Sequence, residues 1–218
     1  MSLLSVNGLR VIEAAITIPL FGAWHADLSV DAEAATPLTG ALELVFDEGP
    51  VLRGFARRAA ADLGRVGIRV VGGRGGLHKV LDGAHYRSVS ARIPASDIVS
   101  GAGEELDGAS ELDAEYAHWT RLRGAAGVQL AALASAVGKP WRMTLDQGKV
   151  LIAAHTWRDA GVKDTDVLAR HAAGGSLELG LIVPPGTTLL GERVTRAMIT
   201  VSANGLRTRV WVDDARDG

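Results

Sequence analysis

The run Arg65 to Leu77, R-V-G-I-R-V-V-G-G-R-G-G-L, constrains the fold of this chain more than any other stretch. Val66, Ile68 and Val70 fall on one side of an extended backbone, with Gly67, Arg69 and Val71 on the other. That is the period of a half-buried strand. The cluster Gly72-Gly73-Arg74-Gly75-Gly76 then ends it. Upstream, the chain reads as short strands and turns. Downstream come its only good helical periods, followed by more strands. The glycines admit two roles: they cradle a phosphate on their amides, or they bend the backbone out of a β-barrel wall.

A dinucleotide fingerprint needs G-x-G-x-x-G at the mouth of a helix, where free N–H groups and the helix dipole meet the pyrophosphate. Counting from Gly73, the third glycine position is His78, no long helix opens, and no Walker lysine-serine/threonine pair follows. The barrel exit is the expectation. It requires a positive φ at Gly73 or Gly75, with no anion on their amides.

The flanks support a β architecture. Val11 to Ile18 is apolar and β-branched. From Trp24 to Asp31, Trp24, Ala26, Leu28 and Val30 alternate with His25, Asp27, Ser29 and Asp31. A loop at Ala32 to Pro37 precedes a strand over Ala41 to Phe46. Asp47-Glu48-Gly49-Pro50 is turn chemistry, Val51 to Ala59 is a further strand, and Asp62-Leu63-Gly64 turns into Arg65. Strands at this spacing predict a barrel or sandwich, because an open sheet would expose its edges. After Leu77, Ile93 to Ala102 predicts a short helix with Pro94 in its first turn and Gly103 at its end. Glu104 to Ala114 reads as an acidic, mobile loop. Gly124 to Val137 carries Leu130, Leu133, Ala134 and Val137 at helical spacing, stopped by Gly138 and Pro140. Trp141 to Leu145 and Lys149 to Ala154 form a hairpin around Asp146-Gln147-Gly148. Arg158 to Asp166 is linker-like, and strands follow at Ser176 to Val183, Thr195 to Ser202 and Leu206 to Val212.

Composition excludes several classes. With 23 basic and 25 acidic residues the net charge is −2, too balanced for a dedicated nucleic-acid binder. There is no cysteine, so neither a disulfide scaffold nor a thiolate metal site is available. The first ten residues lack the basic and apolar regions of a signal peptide, and no apolar run is long enough for a membrane helix.

No catalytic signature stands out. His25, His78, His85, His118, His155 and His171 are scattered without H-x-H or H-E-x-x-H spacing, although His78 and His85 with Asp82 invite a check for convergence. The terminal Asp213-Asp214-Ala215-Arg216-Asp217-Gly218 lacks the ligands of a calcium loop and reads as a solvated tail. No G-x-S-x-G elbow occurs. Glu104 with Glu105, or Glu111 with Asp113 and Glu115, would suit a glycan hydrolase, as would many pairs among 25 acidic residues. Arg53 and Arg57 share one strand face and Arg65 and Arg69 another, giving either a basic stripe for an acidic partner or a solvated wall.

The runs V-L-R-G-F-A-R-R-A, V-G-I-R-V-V-G-G-R-G-G-L and A-H-Y-R-S-V-S-A-R-I-P-A-S-D-I-V-S-G-A-G-E are followed by W-T-R-L-R-G-A-A-G-V-Q-L-A-A-L-A-S-A-V-G-K-P-W-R-M-T-L-D-Q-G-K-V-L-I-A-A-H-T-W and P-P-G-T-T-L-L-G-E-R-V. Together they resemble the baseplate hub proteins of contractile-tailed bacteriophages. The resemblance implies a mainly β fold with a helical insertion, containing two small β-barrel domains that form part of a ring. Residues 1–76 would form the main part of the first barrel, 77–140 the helical insertion, 141–157 a hairpin returning to that barrel, and 158–218 a second, smaller barrel. It further implies a homotrimer whose pseudo-sixfold ring joins a hexameric tail tube protein to a central spike protein, among other baseplate proteins. The location would be the virion tail baseplate, reached from the host cytoplasm during assembly. The resemblance brings no catalytic residue, cofactor, metal, membrane insertion or nucleic-acid sequence recognition. Interface candidates are Trp24, Trp119, Trp157 and Trp211, since tryptophan anchors interfaces, together with Arg53 and Arg57. The second barrel is clipped relative to the family. A glycan hydrolase and a monomeric ligand-binding barrel are the competing functions.

Overall fold

The computed structural model describes residues 3–31, 38–62, 64–171 and 175–213. The loop read at Ala32 to Pro37, Leu63 of the turn and the tail from Asp214 onward lie outside them. The fold is mainly β with a helical insertion: one closed six-stranded barrel, two helices, and further strands.

The barrel strands are β1 (Leu4–Val6), β2 (Leu9–Pro19), β3 (His25–Asp31), β4 (Gly40–Phe46), β5 (Val51–Asp62) and β6 (Arg65–Gly72). Their order is β1-β4-β5-β6-β3-β2. Closure comes from β2 folding back on β1, Ser5 opposite Arg10 and Val6 opposite Leu9. Every neighbouring pair is antiparallel. Alternation places Leu4, Ile16, Leu44, Leu52 and Val70 inside, fully buried, so side chains fill the lumen. Trp24, 1% exposed, closes one end of it. Gly54 and Gly72 leave room for its indole: a Cβ would come within 2.8 Å of the ring at Gly54 and 2.7 Å at Gly72. Wall glycines are therefore a packing requirement of the large aromatic.

The insertion comprises β7 (Val80–Leu81), β8 (Ala84–Ser90), α1 (Arg92–Ala102), β9 (Glu115–Arg121), β10 (Gly124–Ala125) and α2 (Ala126–Val137), and a hairpin of β11 (Trp141–Met143) and β12 (Val150–Ile152) follows it. Both helices end as read, on a left-handed glycine, Gly103 at φ 82° and Gly138 at φ 72°. Ile98 and Val99 of α1 and Leu130 and Leu133 of α2 are buried in the core that continues from the barrel. The β11–β12 hairpin is tied to the barrel by Gly22 N–H to Trp141 C=O (2.9 Å) and Arg53 N–H to Leu145 C=O (2.9 Å). The acidic segment 104–114, expected to be a mobile loop, is instead strapped to this hairpin. Asp107 N–H donates to Val150 C=O (2.7 Å), Glu111 N–H to Ile152 C=O (2.8 Å), and Leu112 is buried. Its acidic composition hides these backbone bonds from a sequence reading.

The remaining strands are β13 (Arg158–Asp159), β14 (Val167–His171), β15 (Ser176–Leu179), β16 (Thr187–Leu189), β17 (Glu192–Ser202) and β18 (Gly205–Asp213). The stretch read as a linker thus holds β13 and a 3-10 turn at Asp164–Asp166. Along the sheet they run β13-β16-β17-β18-β15-β14. Position for position, this repeats the order β1-β4-β5-β6-β3-β2. Two differences mark the second unit. Its β13–β16 pair is parallel where β1–β4 is antiparallel, and no β13–β14 pairing occurs among the described residues. The units share one continuous sheet, because β17 pairs with β2 from Arg196 opposite Pro19 to Val201 opposite Ala14. Val194 and Ala197 of β17 enter a second core with Leu177, Leu179 and Val210, while Ile199 and Val201 enter the barrel core. Among the described residues no helix is long and apolar enough to cross a membrane.

Candidate assembly surfaces

At the barrel exit, Gly73 and Gly75 have φ of 75° and 73°, as expected. The amides of Arg74 and Gly76 point inward and do hold an anion, supplied by the chain itself. Both donate to the buried carboxylate of Glu104, at 2.7 and 2.6 Å. The glycines form a nest around an internal carboxylate. Gly76 also lies so close to the end of α1 that a Cβ would sit 1.9 Å from the Ala102 carbonyl oxygen. Sequence reasoning singled out Glu104 for its acidity and missed this role. The available signal was a glycine run facing a carboxylate just past a helix C-cap.

Two of the other carboxylates offered for hydrolysis are likewise engaged. Glu105 pairs with Arg74 and with Lys149 (3.8 Å). Glu111 pairs with Lys139 (2.7 Å), whose hydrogen bond holds the carboxyl below its usual pKa. Asp113 and Glu115 are exposed. No group of three or more metal-ligating side chains forms among the described residues. His85 stacks on His118 across the β8–β9 ribbon, centroids 5.7 Å apart. His78 lies elsewhere, against Arg57: its Nδ1 meets the Gly75 carbonyl (2.9 Å), leaving Nε2 to accept from Arg57 (2.8 Å).

The arginines of the stripe are bonded within the chain. Arg53 and Arg57 are both exposed on β5, whose register shifts between Ala56 and Arg58, and Arg57 donates to Gly75 C=O (3.0 Å). The others have acidic cross-strand neighbours: Arg53 with Glu43 (3.1 Å), Arg65 with Glu13 (3.4 Å) and Arg69 with Asp27 (3.6 Å). The barrel wall is charge-compensated within the chain.

The tryptophans divide. Trp24 is core, sealed between Gly54 and Gly72, and offers nothing to a partner. Trp119 is half-buried on the ribbon beside Tyr116, centroids 5.3 Å apart. Trp157 and Trp211 are half-buried on the second unit under arginines, Arg193 at 5.3 Å from the Trp157 ring and Arg196 at 4.5 Å from that of Trp211. Sequence reading found α2 but not the character of its outer face. Its exposed residues Val128, Ala131, Ala132, Ser135 and Ala136 lack any charge, although a helix apolar all round is normally covered. It also passed over Arg142, whose guanidinium is held below its ordinary pKa by burial and keeps one buried Nη without a partner.

No family model and no curated protein matches the sequence. Solved structures do match. The 43 kDa tail protein of prophage MuSo2 from Shewanella oneidensis superimposes with TM-score 0.72 at 12% identity, covering 97% of this chain and 96% of that one. A tail protein from Neisseria meningitidis MC58 gives 0.66 at 12%, over 97% and 96%. The chain has the fold of phage tail proteins. The E. coli c3393 protein, a component of the type VI secretion system described as similar to T4 bacteriophage tail proteins gp27 and gp5, gives 0.67 at 13% identity over 99% of this chain and 78% of that one. At such identities the shared property is the fold, and the tail-protein fold is the frame in which the exposed apolar surfaces gain meaning.

Proposed function

We propose that this chain is a structural tail component, a baseplate hub whose homotrimeric ring connects a hexameric tail tube to a central spike. The observation that carries this is the repeated strand order of β1–β6 and β13–β18 within one sheet. Two units of like topology in each chain turn three copies into six similar faces, reconciling a threefold spike with a sixfold tube. On this reading residues 1–76 and 141–157 make the first barrel and 77–140 the insertion. Residues 158–218 make the second barrel, whose β13–β14 gap a neighbour closes. The half-buried Trp119, Trp157 and Trp211 are candidate contacts, with tube, spike and other baseplate proteins as partners. The role is architectural rather than enzymatic, in keeping with carboxylates engaged in internal bonds. The place of action is the virion tail, after assembly in the host cytoplasm.

Electron microscopy of the purified chain with its tube protein tests the proposal. Rings with six similar lobes seated on the tube end are the expected image. Isolated particles that never seat on the tube would sink it.

A further inference from the structure

Five of the ten large exposed apolar side chains among the described residues lie at two places with opposite charge around them. One is a knot where β7 pairs with β10 at the start of α2. Val80, Leu122 and Val128 are 62%, 79% and 68% exposed there. The knot is rigid by construction. Gln129, buried in an otherwise apolar helix, donates its side-chain amide to the carbonyls of Leu81 (3.2 Å), Leu122 (2.7 Å) and Gly124 (3.2 Å). Lys79 and Arg123 are exposed beside it, with Asp82 3.7 Å from Arg123.

The other place is a groove of about 850 Å³ between the β4–β5 turn and residues 180–182, floored by Leu3, Leu181, Ile182 and Leu206. Asp47 and Glu48 stand on its rim, and neither has an ion-pair partner among the described residues. The one cation at its margin, Arg207, is paired with Glu178 at 3.7 Å. The knot is an apolar centre with a basic rim and the groove an apolar floor with an acidic rim, which is the complementarity a specific contact needs.

We infer that the knot of one copy docks in the groove of the next, head to tail. This rests on the ring reading above and assigns its contact. Leu122 is the anchor on the groove floor, and Arg123 and Lys79 face Asp47 and Glu48. Such a heterologous contact uses two different patches of each chain and closes a ring when its rotation allows.

Mixing two variants tests it. Leu122→Asp removes the knot and Leu181→Asp the groove, with Glu48→Arg as a second groove variant on an exposed turn; tryptophan fluorescence checks that each is folded. By sedimentation, the wild-type chain assembles and each variant stays a monomer, its apparent Kd raised at least about tenfold. An equimolar mixture of knot and groove variants forms a one-to-one pair and stops, since one intact knot meets one intact groove. Variants that assemble like the wild type, or a mixture that stays monomeric beside an assembling wild type, would overturn the docking and leave the ring reading standing. A wild-type chain that never self-associates would overturn both. Wild-type association only with a different tail protein, blocked by Leu122→Asp, would assign the knot to that partner and overturn docking between copies.

Discussion

The amides of Arg74 and Gly76 converge on one carboxylate, and the helix that ends at Gly103 delivers it. A buried amide without an acceptor costs roughly 1–3 kcal/mol, and here a single side chain serves two. Glu104→Ala should lower stability by about 3 kcal/mol and Glu104→Gln by less, because the amide oxygen still accepts; urea unfolding measures both. Equal loss in the two variants would show that the carboxylate does not organise the exit. The sequence announced the bend but not what fills it, since Glu104 is one acid among 25. His25, at the start of β3, gives a residue-scale pH effect. Burial foremost, then Arg69 and Arg196, lowers its pKa from 6.5 against the opposing pull of Asp27. The folded chain therefore resists a proton that the unfolded chain accepts. The neutral form's stability is complete above 6.5 and is lost as pH falls through the folded value. Urea midpoints should drop between pH 7.5 and 5.5 by less in His25→Gln than in the parent chain, and parallel curves would refute the assignment.

Elements were legible where one face is wet and the other dry. The strands β2 to β6 and β18 show that alternation, and α1 and α2 announce their ends with glycine. The ribbon β8–β9 was invisible because both its faces are largely exposed, leaving no apolar period to read. β1, with three residues, and β13, with two, are too short to carry one. The bulge between Ala56 and Arg58 is a one-residue event of register, which binary pattern does not encode. Edge and centre also differ in dynamics. β2 is hydrogen-bonded on both sides, to β3 on one and to β1 and β17 on the other, whereas among the described residues β14 pairs with β15 alone. Hydrogen exchange on the isolated chain should find β2 amides opening only near the global unfolding limit and β14 amides exchanging far faster. Protection of β14 equal to that of β2 would mean the second unit is closed without a neighbour.

At the scale of the molecule, one sheet carries the same strand order twice, fused where β2 meets β17, and the insertion projects from the first copy only. Strand spacing called for a barrel or sandwich, and the helices followed from their own period. The repeat did not, because its two halves share an order of pairing and not a pattern of residues. What the fold leaves uncovered is more telling than any pocket: the charge-free outer face of α2, the apolar knot with its basic rim, and the acidic groove. A monomer has little use for these together, and the proposed ring would cover them. The native mass of the purified chain across a range of concentrations tests that claim most directly. Three times the 22.8 kDa of one chain is the predicted species at high concentration, and a single-chain mass at every concentration would contradict it.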